Sequence, residues 1–245
     1  GSPPLQAAVK NATEKGVIVC AAAGNVILPF FTRVTFPAAY SEVVAVAGCD
    51  ILERPWTKSS RGPEVDITAP GTGVWNARAE KSGSQVHFRN ARGSGTSFAV
   101  AQLAGVAACW LGRWGWDNLK QHFGHERHIP RAFKHFLAKH DAKPIVIEPG
   151  SNRDPNDFGK GILDVEALHD HDPFDLSPSE LSGSSGLAAA AAPATLAQAT
   201  EELDRIARLF PGIDARQIER GLSLMLQADG PALDSALRDI GGELA

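Results

Sequence analysis

Two short apolar runs, Gly16-Val17-Ile18-Val19-Cys20-Ala21-Ala22-Ala23 and Val43-Val44-Ala45-Val46-Ala47-Gly48, constrain the fold more than any other feature of the chain. Neither alternates apolar with polar residues, so each is predicted to be a strand buried on both faces, over residues 16 to 23 and 43 to 48. Helical patterns lie between such runs as far as residue 169, and residues 4 to 15 have the spacing of an amphipathic helix. That order predicts an α/β fold, a parallel sheet flanked by helices. Residues 26 to 40 read as a loop, in which Phe30, Phe31 and Phe36 either line an apolar pocket or cover the core.

The segment Gly93-Ser94-Gly95-Thr96-Ser97-Phe98-Ala99 runs into an apolar helix, Val100 to Leu111. A serine in the first helical turn is surrounded by unpaired N–H groups and by the positive end of the helix dipole, a setting that favours developing negative charge. Ser97 is therefore a candidate nucleophile. Serine before an apolar helix is also the ordinary N-cap signal, so the neighbouring motifs decide.

Upstream lie Arg61-Gly62-Pro63-Glu64-Val65-Asp66-Ile67-Thr68-Ala69-Pro70-Gly71 and, earlier, Val19-Cys20-Ala21-Ala22-Ala23-Gly24-Asn25. Downstream lies Asp157-Phe158-Gly159-Lys160-Gly161-Ile162-Leu163-Asp164. In this order and spacing the motifs resemble the carboxy-terminal part of the catalytic domain of subtilisin-like serine proteases (subtilases), over about residues 3 to 169. The resemblance implies a serine endopeptidase that hydrolyses polypeptides through an acyl-enzyme on Ser97. Asn25 and the backbone N–H of Ser97 would stabilise the oxyanion, and no cofactor is implied. It makes Asp66, Pro70 and Gly71 structural. Where subtilases commonly continue with proline and histidine after the serine, this chain has Val100-Ala101-Gln102.

A serine hydroxyl needs a base to take its proton and a carboxylate to orient that base. The D-x-G and H-G-T or H-G-S motifs that supply them in subtilases do not occur here, and the first histidine is His87. The catalytic aspartate and histidine are thus expected outside this chain, which by itself is expected to be inactive. Gly1-Ser2, a pair that tag removal leaves behind, favours a part of a longer protease. A sheet without its leading strands would expose an apolar edge, so association with a missing amino-terminal half or with another copy is expected. The alternative is an inactive subtilase remnant that serves as a ubiquitin- or protein-binding scaffold.

His122, His125 and His128 lie three apart, but many lysines and arginines surround them, among them Lys120, Arg127, Arg131 and Lys134. They are read as a basic solvated face between helices rather than as metal ligands. Trp110, Trp114 and Trp116 are read as packing at the end of the Ser97 helix. A formal charge of −4 gives no basic excess for nucleic acid, and no apolar run is long enough to span a membrane. Cys20, Cys49 and Cys109 sit in apolar runs and are expected to be buried free thiols, which favours a reducing, cytoplasmic compartment.

Composition changes at residue 170. Residues 1 to 170 form the expected protease-like part and 171 to 195, rich in Ser, Gly, Pro and Ala, a flexible linker. From 196 to 245 helical spacing returns and predicts a small all-α domain of three helices. Leu209-Phe210-Pro211 and Leu237 resemble the motifs with which the CUE domain contacts ubiquitin, which implies ubiquitin as a partner.

Overall fold

The computed structural model describes residues 1–26, 32–139 and 142–182. Helix α1 (Pro3–Glu14) leads to strand β1 (Cys20–Ala22), followed by β2 (Val44–Cys49) and β3 (Ile67–Pro70). The three strands are parallel in the order β1-β2-β3, with Cys20 opposite Val44 and Val46 opposite Ile67. An antiparallel hairpin, β4 (Val74–Ser82) and β5 (Gln85–Gly93), then runs into the long helix α2 (Thr96–Trp114). Helices α3 (Trp116–Phe123), α4 (His128–Lys139), α5 (Val165–Asp170) and α6 (Pro178–Ser182) complete the described chain.

All six residues of β2 are buried, because the strand is central and covered on both faces. Side chains alternate along a strand, so β2 feeds two cores. Val44 and Val46 pack with Ile67 and Ala69 against Ala99, Leu103, Ala107 and Trp110 of α2. Ala45, Ala47 and Cys49 face Val65, Ile162 and Phe158 on the other side. The inward residues of α2 recur every three or four positions, as one helical face requires. Trp110 is fully buried, with its ring 5.4 Å from that of Phe133 of α4, as end-of-helix packing predicts.

The closing segment seals the far edge of β3. Thr68 N–H donates to Gly161 O at 2.8 Å and Leu163 N–H to Thr68 O at 2.8 Å, while Thr68 Oγ1 donates to Phe158 O at 2.9 Å. Gly159 makes this approach with φ of +71°, and a Cβ there would lie 2.4 Å from the carbonyl carbon of Asp66. Only glycine meets both demands.

Three expectations require correction, and one of two open readings closes for Phe36. The strand expected over 16 to 23 is only Cys20–Ala22, because Gly16 and Val17 are still held by the end of α1, their N–H groups donating to Thr13 O and Ala12 O. The polar stretch beyond residue 170 does not begin a linker in the described residues: Leu176 and Leu181 are buried in the α2 core, which outweighs the polar residues around them. Phe36 does not cover the core; it is exposed and lies 4.7 Å from the Tyr40 ring, while Phe30 and Phe31 lie outside the described residues. Cys109 is not buried, since it falls on the face of α2 that no described element covers.

Cys49 is buried and Cys20 half-buried. Burial, aided by Asp66, pushes the Cys20 thiol up to about 11, and burial with Asp50 and Glu53 pushes Cys49 up to about 12. The thiolate is the reactive form. A disulfide reagent at mildly alkaline pH is therefore expected to titrate Cys109 rapidly in the native chain, and Cys20 and Cys49 only on unfolding; fast reaction of all three thiols would contradict this packing.

Among the described residues no helix is long and apolar enough to cross a membrane. The linker beyond Ser182 and the helices expected over 196 to 245, with Leu209, Phe210, Pro211 and Leu237, lie outside the described residues.

Candidate active site

The turn before α2 is fixed from the sheet. Gly71 N–H donates to Cys49 O at 2.9 Å, and Gly95 N–H donates to Gly71 O at 2.7 Å, so the turn hangs directly on the end of β3. Ser94 Oγ accepts the Gly73 N–H at 3.1 Å. Gln102, where the resemblance gives a histidine, donates to Pro70 O at 2.6 Å and straps the first turns of α2 to the same strand end.

Helix α2 has no cap from its own N-cap residue, Gly95. Its first N–H, that of Thr96, donates instead to Asn25 Oδ1 at 3.0 Å, and Thr96 Oγ1 donates to the same oxygen at 2.9 Å. Two donors on one atom fix the orientation of the amide, because only the oxygen can accept them. The amide nitrogen of Asn25 is thereby turned towards Gly95. Gly24 permits this, with φ of +118° and its virtual Cβ only 2.9 Å from both Ser60 Oγ and Thr35 Oγ1. The fold brings Asn25 beside the first turn of the Ser97 helix, across 71 residues of chain.

The position of a Cβ built on Gly95 describes the site. It would lie 2.9 Å from Ser97 Oγ, 3.6 Å from Asn25 Nδ2 and 3.7 Å from Ser97 N. A hydroxyl, a side-chain amide donor and a backbone N–H of the first helical turn therefore surround one small space, kept open because residue 95 has no side chain. That arrangement can stabilise an anionic oxygen beside a nucleophile. Ser97 is exposed, and among the described residues no side chain accepts a hydrogen bond from its Oγ. His87, on β5, lies opposite Glu80 of β4 and is exposed.

Asp66 does structural work. Its carboxylate accepts the Ala45 N–H at 2.8 Å and faces Lys134 Nζ at 3.0 Å. Burial raises its pKa, opposed by the Lys134 charge and by both hydrogen bonds. Two of the three histidines are less solvated than expected: His122 Nε2 lies 2.9 Å from Leu176 O and His128 Nδ1 2.9 Å from Phe123 O, while His125 is exposed. Among the described residues no group of His, Cys, Asp or Glu is arranged to hold a metal. Thr96 and Gly95 belong to the site as much as Ser97 does; their signal in the sequence is the G-T-S triplet itself, whose first two members position the third.

A model of the subtilase family matches residues 1–161. The thermostable alkaline protease of Halalkalibacterium halodurans is 39% identical over 108 residues, 44% of this chain and 27% of that protein. Thermitase of Thermoactinomyces vulgaris is 36% identical over 107 residues, 44% of this chain and 35% of that protein. Among solved structures, the patellamide maturation protease PatA superposes with a TM-score of 0.52 and 27% identity, covering 69% of this chain and 56% of that one. The prenylagaramide maturation protease PagA gives a TM-score of 0.52 and 26% identity, covering 69% and 55%. This chain thus spans about a quarter to a third of the length of these curated relatives and just over half of these solved chains.

Proposed function

The chain belongs to the subtilase family, and from that premise we propose that it supplies the nucleophile and the oxyanion site of a serine endopeptidase. The observation that supports this reading is the convergence of Ser97 Oγ, Asn25 Nδ2 and Ser97 N–H on the space above Gly95. In the proposed reaction a histidine outside this chain, oriented by an aspartate also outside it, takes the Ser97 hydroxyl proton as Oγ attacks the carbonyl carbon of a peptide bond. The carbonyl oxygen becomes an oxyanion between the Asn25 amide and the Ser97 N–H. Collapse expels the amine with the proton held by the base, and water then hydrolyses the Ser97 ester by the reverse sequence of transfers. Stabilising charge that exists only in the transition state is what raises the rate.

The same reading gives a place for the absent groups. The face of α2 that continues from Ser97 through Ala101, Ala104, Gly105, Ala108 and Cys109 is exposed, and β1 is an edge strand of its sheet. We place the part that carries the histidine and aspartate against this face. The test is a fluorophosphonate probe on a form of the protein that includes an upstream D-x-G and H-G-T or H-G-S segment. Labelling that disappears in Ser97→Ala is the expected result; a folded longer form that does not label would refute the reading.

A further inference from the structure

We propose that the cleft between the β2–β3 connection and the segment after α4 binds a carboxylate of the polypeptide substrate, with Arg153 as its partner; the inference rests on the endopeptidase reading above. The cleft has a volume of about 710 Å³. Pro55 and Trp56 line it from the β2–β3 connection, Ile147 and Pro149 from the segment after α4, and Thr72 from the loop after β3.

Its charges are unequally matched. Arg54 holds both nearby carboxylates, with Nε and Nη2 donating to Asp50 Oδ2 at 2.9 and 2.8 Å and Nη1 to Glu148 Oε1 at 2.6 Å. Arg153 has no carboxylate within ion-pair distance among the described residues; one nitrogen, Nη1, donates to Pro55 O at 2.9 Å. Burial, reinforced by the Arg61 charge and opposed by Glu148, lowers its pKa from the ordinary value. A guanidinium so placed offers a planar fork of donors that matches a carboxylate. The indole of Trp56 and the two proline rings supply an apolar wall for the stem that carries it.

The cleft is joined to the nucleophile turn. Thr72 lies between Gly71, whose carbonyl accepts the Gly95 N–H at 2.7 Å, and Gly73, whose N–H donates to Ser94 Oγ at 3.1 Å. On the inner side, Trp56 and Thr96 flank Gly48, where a Cβ would lie 3.7 Å from Trp56 Cε3 and 3.6 Å from Thr96 Cγ2. The cleft and the nucleophile turn are thus built on the same strand end, at Gly71 and Thr72.

Binding needs no turnover, so the experiment is a titration of the whole chain with two pairs of peptides, followed calorimetrically. In the first pair, amidated at the carboxy terminus, a glutamate is replaced by glutamine. In the second, with neutral side chains, a free terminal carboxylate is replaced by the amide. The carboxylate member of one pair is expected to bind at least about tenfold more tightly than its partner, the strength of a charge-assisted contact. Which pair shows the difference identifies the source of the carboxylate. Arg153→Gln, which keeps a donor for Pro55 O, is expected to abolish the preference. Equal binding within both pairs, or a preference that survives Arg153→Gln, would overturn the proposal, and the wild-type comparison stands even if the variant does not fold. Equal binding in a preparation whose longer form labels at Ser97 counts against the cleft alone. A carboxylate preference without any such labelling counts against the endopeptidase reading alone.

Discussion

Gly95→Ala is expected to lower acylation of Ser97 by more than about a hundredfold while leaving the melting temperature nearly unchanged, measured with a fluorophosphonate on a form that carries the complementary histidine and aspartate. The added methyl would stand 2.9 Å from Ser97 Oγ, in the space that the Asn25 amide and the Ser97 N–H surround. Its backbone cost is small. Residue 95 has φ of 163°, extended backbone that any residue adopts, so the substitution blocks the site without straining the turn. The donor itself is tested by Asn25→Asp, which keeps an oxygen for the two Thr96 donors and removes the amide hydrogens. A loss of about a hundredfold to a thousandfold is expected there, as for other oxyanion donors. If Gly95→Ala and Asn25→Asp both label within about threefold of wild type, the oxyanion is not bound in this space.

The parts of this site that could be read from sequence are those in which chemistry is local. Ser97 follows Gly95 and Thr96 directly and opens an apolar helix, and Asn25 ends a strand at a glycine with positive φ. That they share one site was implied only by the family resemblance; the Thr96 to Asn25 hydrogen bonds that join them span 71 residues and depend on the turn of the sheet between. The cleft at Arg153 is hidden for the same reason. Its walls come from three separated loops, and only in the fold does Arg54 take both carboxylates and leave Arg153 with none in ion-pair distance among the described residues.

Burial was legible where an element has covered faces on both sides, as in β2, and illegible where the cover is a matter of tertiary packing. Cys109 sits in an apolar run as convincing as that of Cys49, yet it lies on the outer face of α2 while Cys49 lies between strands and loops. Leu176 and Leu181 show the reverse. Each lies in a polar stretch with no period to betray it, and each is buried because α3 and α4 present a core surface at that place.

Lys134→Met is expected to destabilise the chain at neutral pH by roughly 3 kcal/mol, the size of effect seen when one member of a largely buried ion pair is removed. The Lys134 and Asp66 side chains are only 14% and 16% exposed, and the ammonium also donates to Val43 O at 2.7 Å and Ser41 O at 3.0 Å, so one side chain ties α4 to the start of β2 and to β3. Without it, Asp66 keeps the Ala45 N–H and loses its counter-charge. The sign of the pH dependence follows. Burial already raises the Asp66 pKa above that of the unfolded chain, so its contribution to stability is greatest at low pH and falls as pH rises towards the folded-state value. Loss of the lysine charge raises that value further and widens the window. The deficit of Lys134→Met should therefore be small in acid, where Asp66 is protonated in wild type and variant alike, and grow to its full size as pH rises through the variant's Asp66 pKa. Urea midpoints measured across that range in wild type, Lys134→Met and the double variant Asp66→Asn with Lys134→Met decide the matter. The double variant removes both charges and keeps an acceptor for Ala45 N–H, so it should recover much of the loss at neutral pH. A deficit that is the same at every pH and is not relieved by Asp66→Asn would assign the role of Lys134 to its carbonyl contacts with Ser41 and Val43 instead of to the charge of Asp66.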